Sequence, residues 1–337
     1  MGNPAHNPVA KLTRRRVLAG ATVGLVLPGV AAAQTAPFPA RPIRILVGFA
    51  AGGGNDVISR ILAQKLGEGP LGTVLVDNKT GASGLVAADL LAKAAPDGTT
   101  LMVASQTTYA VAPILYSKQT SFDAPRDVAG VAMLGSSPLV LVVNPKFAAQ
   151  SLAELIEMAK ARPGAINFGS GGVGTTPHMA AELFLFNAGI RMTHVSYRGE
   201  APAIADVLAG QVPLLFANVS VVTSQVNSGA LRALAVTSPR RAPGLPNVPT
   251  LAEAGIRDSD VETWFGLTAP AATPRDIVQR LNAEVRKALA APDLQQRFAE
   301  LSLSVNPSSP EDLDAIIKSE AVRWGEVIRR AAIKAPE

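Results

Sequence analysis

Ile43-Arg44-Ile45-Leu46-Val47-Gly48-Phe49-Ala50-Ala51-Gly52-Gly53-Gly54-Asn55-Asp56 is the stretch whose reading decides the fold. Ile43–Phe49 is a short, mostly apolar run of strand length, and Ala50–Gly54 is a turn. Beyond it Ile58, Ile61, Leu62 and Leu66 recur at helical spacing. A strand, a glycine-rich turn and a helix in that order open a parallel α/β unit.

Working outward, Thr73–Val76 reads as a second strand, Leu85–Ala95 as a helix stopped by Pro96-Asp97-Gly98, and Thr100–Ala104 as a third strand. The alternation resumes after Leu139–Val143. It predicts helices over Ser151–Ala161, His178–Ala188, Pro202–Ala209 and Ser220–Ser228, with strands over Ile166–Phe168, Thr193–Tyr197, Pro213–Phe216 and Leu231–Thr237. Ser238–Pro249, rich in proline and basic residues, reads as a surface crossing. The tail predicts helices near Thr250–Ala254, Pro274–Ala290 and Pro310–Ile328, the last two opened by a hydroxyl cap at Thr273 and Ser309 before proline. Tail helices with no new strands must cover an existing sheet. That predicts one lobe from 34–139 with 233–337, a second from 140–232, and hinge crossings near Leu139–Val143 and Leu231–Thr237.

Residues 1–33 read as a leader. Lys11 and Arg14-Arg15-Arg16 precede an apolar run from Val17 to Val30, and Ala31-Ala32-Ala33 is a small-residue cleavage site. Thr13–Leu18 is similar to a twin-arginine export signal. The run is shorter than the roughly 20 apolar residues that span a bilayer. A soluble periplasmic chain beginning near Gln34 is expected. Four of the 31 basic residues and no acidic one lie in this leader, so the net charge of +5 belongs mainly to it, and nucleic-acid binding is not expected. Cysteine is absent, which excludes disulfides and thiolate metal sites.

The candidate chemistry lies at strand-to-helix joins, the ligand edge of open α/β sheets. Gly52, Gly53, Gly54, Asn55 and Asp56 form a candidate anion cradle, where backbone N–H groups and a helix dipole converge. The run lacks the lysine of a phosphate loop and the third glycine of a dinucleotide loop. Asp56 is expected to order this loop more than to touch ligand. A second run, Gly169-Ser170-Gly171-Gly172-Val173-Gly174-Thr175, stands at the equivalent join of the other lobe, followed by His178. Ser83 and Gly84, with Ser105, Gln106 and Thr107, occupy two further joins. Neither Ser83 nor Ser170 lies in a nucleophile elbow, only His178 and His194 remain past the leader, and no metal-ligand spacing occurs. No catalytic residue, metal or cofactor is expected.

These residues resemble the periplasmic receptors of tripartite tricarboxylate transporters, also called Bug receptors. The resemblance rests on Pro42-Ile43-Arg44, Gly52-Gly53-Gly54 with Asp56 and Arg60, Ala94-Ala95-Pro96-Asp97-Gly98, His194-Val195-Ser196-Tyr197-Arg198-Gly199, Gly210-Gln211-Val212, Leu231–Thr237, Pro249–Gly255 and Trp264-Phe265-Gly266-Leu267. It implies a two-lobed type II periplasmic-binding-protein fold, with open, mostly parallel α/β sheets, closing as a monomer on a small organic carboxylate. It also implies a two-subunit membrane permease as partner, and Arg198 and Asn218 join the expected ligand set. The sequence departs from the family pattern at Ala50-Ala51, where prolines are usual, and at Ala217, where an acid is common. Losing that acid favours a plain or aromatic carboxylate over an amino acid. The alternative is a periplasmic α/β enzyme acting on the same kind of acid.

Overall fold

The computed structural model describes residues 38–330 and Ile333, within a compact unit running from Pro37 to Glu337. The expected leader and its cleavage site lie outside the described residues. The chain opens with β1 Ile43–Val47, α1 Gly54–Gly67, β2 Val74–Asn78, α2 Leu85–Ala92 and β3 Thr100–Ala104. A π-helical turn at Thr107–Val111 and two short helices, α3 Ala112–Leu115 and α4 Ala124–Asp127, lead to the long strand β4 Val128–Val143. The second series is α5 Leu152–Ala161, β5 Asn167–Ser170, α6 Thr176–Ala188, β6 Thr193–Ser196, α7 Glu200–Ala209, β7 Leu214–Asn218, α8 Val219–Asn227 and β8 Arg232–Val236. The tail adds β9 Glu262–Pro270, α9 Arg275–Leu289, α10 Pro292–Glu300, β10 Ser304–Val305 and α11 Pro310–Arg330.

The strands form one continuous sheet in the order β2-β1-β3-β9-β4-β7-β5-β6, with β8 and β10 also paired to β4. β1 runs parallel to β2 and β3, and β5 runs parallel to β6 and β7. β4 and β9 join the two parallel sets. Val128–Pro138 of β4 pairs antiparallel with β9, and Leu139–Val143 pairs with β7 and β8. Pro138 therefore sits where β4 changes partners, a position where a missing N–H is tolerated.

Four expectations are corrected. β4 starts at Val128 rather than Leu139, because its register shifts near Gly130 and Gly135 carry the strand through residues that interrupt the apolar pattern. β9 and α10 were not expected at all, while Leu251–Gly255 is a turn, not a helix. β8 is not a crossing strand: it stays beside the second half of β4, and the chain returns at Val261–Glu262. The Ser238–Pro249 segment is more than a surface crossing, since Ala242, Leu245 and Val248 are buried in a core with Val140, Val207 and Val236.

Packing follows the periodicities. Ile58, Leu62 and Leu66 of α1 and Val278, Leu281 and Val285 of α9 share one core with Ile43 and Ile45 of β1. Each such fully buried aliphatic side chain contributes about 1.5–3 kcal/mol. Ser309 caps α11 as the pattern predicts, its Oγ accepting the Asp312 N–H at 3.1 Å. Thr273 does not cap: α9 begins one residue later, with Pro274 at the cap and Thr273 Oγ1 buried without a partner.

Candidate ligand site

Both glycine-rich turns contribute to one cleft, Gly53 and Gly54 of the first and Gly171 of the second lining the same chamber. Gly199, in the turn between β6 and α7, has φ +123°, and a Cβ there would lie 2.9 Å from Ala50 Cβ, so this turn and the one at Ala50 approach too closely for any side chain at this point. Gly54 is tightly but less severely placed, since a Cβ would meet Asn218 Nδ2 at 3.2 Å and the Phe265 ring at 3.3 Å. Three contacts tie the first set of elements to the second. Ser83 Oγ donates to the Val173 carbonyl at 2.5 Å, the Thr176 N–H donates to Thr107 Oγ1 at 2.9 Å, and the Gly54 N–H donates to Glu200 Oε2 at 3.4 Å.

Two adjoining chambers lie in this cleft and share Phe49 and Gly171 in their walls. The outer chamber, about 430 Å³, is lined by Gly81–Ser83, Tyr116, Gly172, Val173 and Ser196–Gly199. Its volume falls in the usual range for small-molecule sites. Ala82 and Ser83 both hold left-handed φ values, 44° and 54°, each costing about 1–3 kcal/mol, a strain typical of ligand clamps. Tyr197 OH donates to Asp206 Oδ2 at 2.6 Å, and burial together with that acid raises the phenol pKa to about 12, fixing the ring as a neutral wall. Arg198 is exposed at the chamber rim.

The inner chamber, about 30 Å³, is lined by Gly53, Gly54, Asn55, Ser105, Thr107, Thr175, Thr176, Pro177, Glu200, Asn218 and Thr263. Asn55 Oδ1, Asn218 Oδ1 and Thr263 Oγ1 are buried there without hydrogen-bond partners.

Ten expected ligand residues thus line the cleft: Gly53, Gly54, Asn55, Ser105, Thr107, Thr175 and Asn218 inside, and Ser83, Gly172 and Arg198 outside. Seven line neither chamber and support the ones that do. Asp56 Oδ2 accepts the Gly52 N–H at 2.8 Å, and the same carboxylate bonds Arg60 and Asn78. Burial pushes the Asp56 pKa up, but these donors outweigh it and hold the group below its ordinary value. Gln106 reaches back to β9, accepting from Trp264 N–H and donating to the Glu262 carbonyl. Gly84 packs against Thr108. His178 Nδ1 accepts the Gly174 N–H at 3.1 Å, and Ser170 Oγ lies 2.7 Å from His194 Nε2.

Among the lining residues outside the expected set, Thr263 and Glu200 matter most to the chemistry. Thr263 went unseen because β9 did. Glu200 follows the quoted Tyr197-Arg198-Gly199, and an acid directly after a glycine at a helix start was the available signal. Glu200 Oε1 accepts the Asn218 N–H at 2.5 Å and Oε2 accepts Asn218 Nδ2 at 3.0 Å. Burial raises its pKa; the Asn218 and Gly54 donors act against that without cancelling it. A buried acid thus stands beside Asn218, next to the Ala217 position where the sequence lacks one.

One serine does stand against a histidine, Ser170 Oγ beside His194 Nε2. The Ser170 hydroxyl, however, is 1% exposed beneath its own loop, bonded to Gly172. His194 stacks on His178 at 4.0 Å and on Phe168 at 5.0 Å. Burial, and then His178, lower its pKa to about 3.

Fold and cleft together define a bilobal α/β solute-binding protein of the periplasmic-binding type. Residues 58–333 match the model of the tripartite tricarboxylate transporter family receptor, and the chain belongs to that family. It is 35% identical to protein BugT of Bordetella pertussis over 95% of this chain and 98% of that one. Among solved structures it is similar to Rpa4515 of R. palustris with adipate, with TM-score 0.85, 31% identity, and coverage of 89% of this chain and 100% of that one. It is also similar to MatC of Rhodopseudomonas palustris with bound malate, with TM-score 0.81, 29% identity, and coverage of 86% and 100%.

Proposed function

We propose that this receptor captures a small organic carboxylate in the outer chamber and delivers it, unaltered, to a two-subunit membrane permease. The observation that carries the reading is a chamber of about 430 Å³ between the Gly81–Ser83 turn on one side and the Gly171–Val173 and Ser196–Gly199 turns on the other, with Arg198 at its rim. Adipate and malate, held by two similar proteins, are both carboxylates. Lobes of 34–139 with 233–337 and of 140–232, with β8 moved to the second, would close around the ligand by rotation at the strand junction. Export to the periplasm with cleavage near Ala33, and action as a monomer, belong to the same proposal. The position of Ser170 beneath its loop favours a receptor over an enzyme, because its hydroxyl lines neither chamber.

Native mass spectrometry of protein purified from its own host tests this. A co-purified organic acid is the expected result, and a sugar, an amine without a carboxyl group or a phosphate ester would overturn it.

A further inference from the structure

We infer that Glu200 makes the inner chamber select a carboxylate that also carries a hydrogen-bond donor, an ammonium ahead of a hydroxyl. This rests on the carboxylate-receptor reading and specifies its ligand.

Three of the backbone donors at the starts of α1 and α8 already serve the protein's own carboxylates. Gly54 N–H and Asn218 N–H both donate to Glu200, and Gly52 N–H donates to Asp56. A ligand carboxylate is thereby directed to the outer chamber, where Arg198 stands. No lysine, arginine or histidine lines the inner chamber, and among the described residues no cationic group lies within ion-pair distance of Glu200. A buried carboxylate without a counter-charge is costly, and a second carboxylate beside it more so.

The remaining lining points the same way. Asn55 Oδ1 and Asn218 Oδ1 are pure acceptors, and they stand orphaned with Thr263 Oγ1 in the same chamber. Buried acceptors are normally bonded, so the site lacks a group that donates. At about 30 Å³ against about 430 Å³, the inner chamber is the narrow end of the cleft. A cation there would meet the Glu200 carboxylate in a wall that also holds Asn55 and Asn218. The cleft is thus polarised, accepting at its inner end and cationic at its rim.

The test is calorimetric titration of the mature protein with acids matched in length and differing at one carbon: succinate, malate and aspartate, then glutarate, 2-hydroxyglutarate and glutamate. In at least one series the amino acid should bind tenfold or more tighter than the unsubstituted diacid, with the hydroxy acid between them. Glu200→Gln should cut that ratio by at least tenfold while the unsubstituted acid binds no more weakly. Thr263→Val, which leaves Glu200 in place, should cut it by a smaller factor. Unsubstituted diacids binding as tightly as their amino partners would overturn the inference, as would an unchanged ratio in Glu200→Gln. If Glu200→Gln does not fold, the ratio in the native protein decides alone. If none of the six acids binds but other carboxylates lacking a donor do, this inference fails and the carboxylate reading stands. If no carboxylate binds, both fail.

Discussion

The Thr237 N–H donates to the Leu139 carbonyl at 2.8 Å, and the Leu139 N–H donates back to Thr237 Oγ1 at 2.9 Å. The same hydroxyl bonds the Val261 carbonyl, and the Val261 N–H reaches the Thr237 carbonyl at 3.1 Å. One fully buried threonine therefore ties together the point where β4 changes partners, the end of β8 and the start of β9.

Thr237→Val keeps the shape and removes the hydroxyl, leaving the Leu139 N–H and the Val261 carbonyl without that partner. The expected loss is about 1–3 kcal/mol. Calorimetry should show a melting temperature lowered by roughly 2–10 °C. A melt indistinguishable from the native one would mean that the junction is held by strand pairing alone.

Ser83→Ala removes a hydrogen bond that spans the cleft, from Oγ to the Val173 carbonyl. A net bond of about 0.5–1.5 kcal/mol corresponds to affinity weakened roughly two- to tenfold. The scattering radius of the ligand-saturated variant should move back toward the ligand-free value. Unaltered affinity and radius would show that the latch plays no part in closure.

The leading turn was legible in the sequence because short-range chemistry writes it: an apolar run, three glycines, and Asp56 one turn from Arg60. The parallel strands β1, β3 and β5 to β7 were legible for the same reason, each being bounded by turn residues. β9 was not. Its residues, Glu262–Pro270, are strand-forming only in company with β3 and β4, and pairing partners more than a hundred residues away leave no local mark. Glu200 escaped for a related reason: its neighbours in sequence are a glycine and alanines, while its partners Gly54 and Asn218 come from two other elements. Seven expected ligand residues proved to be supports of the cleft rather than its walls, since spacing places a residue at a join without fixing where its side chain points.

Asp56→Asn weakens the loop that sets the floor of the cleft, because the carboxylate joins Gly52, Arg60 and Asn78. Its folded-state pKa lies below the ordinary value of 3.8, so its stabilisation is complete above that pH and is lost as the pH falls through the lower folded value. At pH 7 the variant should be less stable by about 1–3 kcal/mol in urea unfolding. A change under half of that would place the loop's order in its backbone alone.

His194 works in a different window. Its pKa of about 3 in the fold, against 6.5 when unfolded, means that the unfolded chain binds a proton the native state refuses. Stability is therefore full above pH 6.5 and declines steadily from there toward pH 3. Melting temperatures taken between pH 7.5 and 4.5 should fall, and His194→Asn should flatten that slope. An equal slope in both proteins would assign the acid sensitivity to other groups.

The central claim is that the cleft binds a carboxylate, and a thermal-shift panel tests it most directly. At a hundredfold excess over Kd a bound ligand stabilises the fold by about 2.7 kcal/mol, which corresponds to a rise in melting temperature on the order of 5–10 °C. Mono-, di- and tricarboxylates, amino acids and aromatic acids should be screened beside sugars, amines lacking a carboxyl group and phosphate esters. The account predicts large shifts only among acids that carry a carboxylate; large shifts with sugars, amines or phosphate esters and silence from every carboxylate would contradict it.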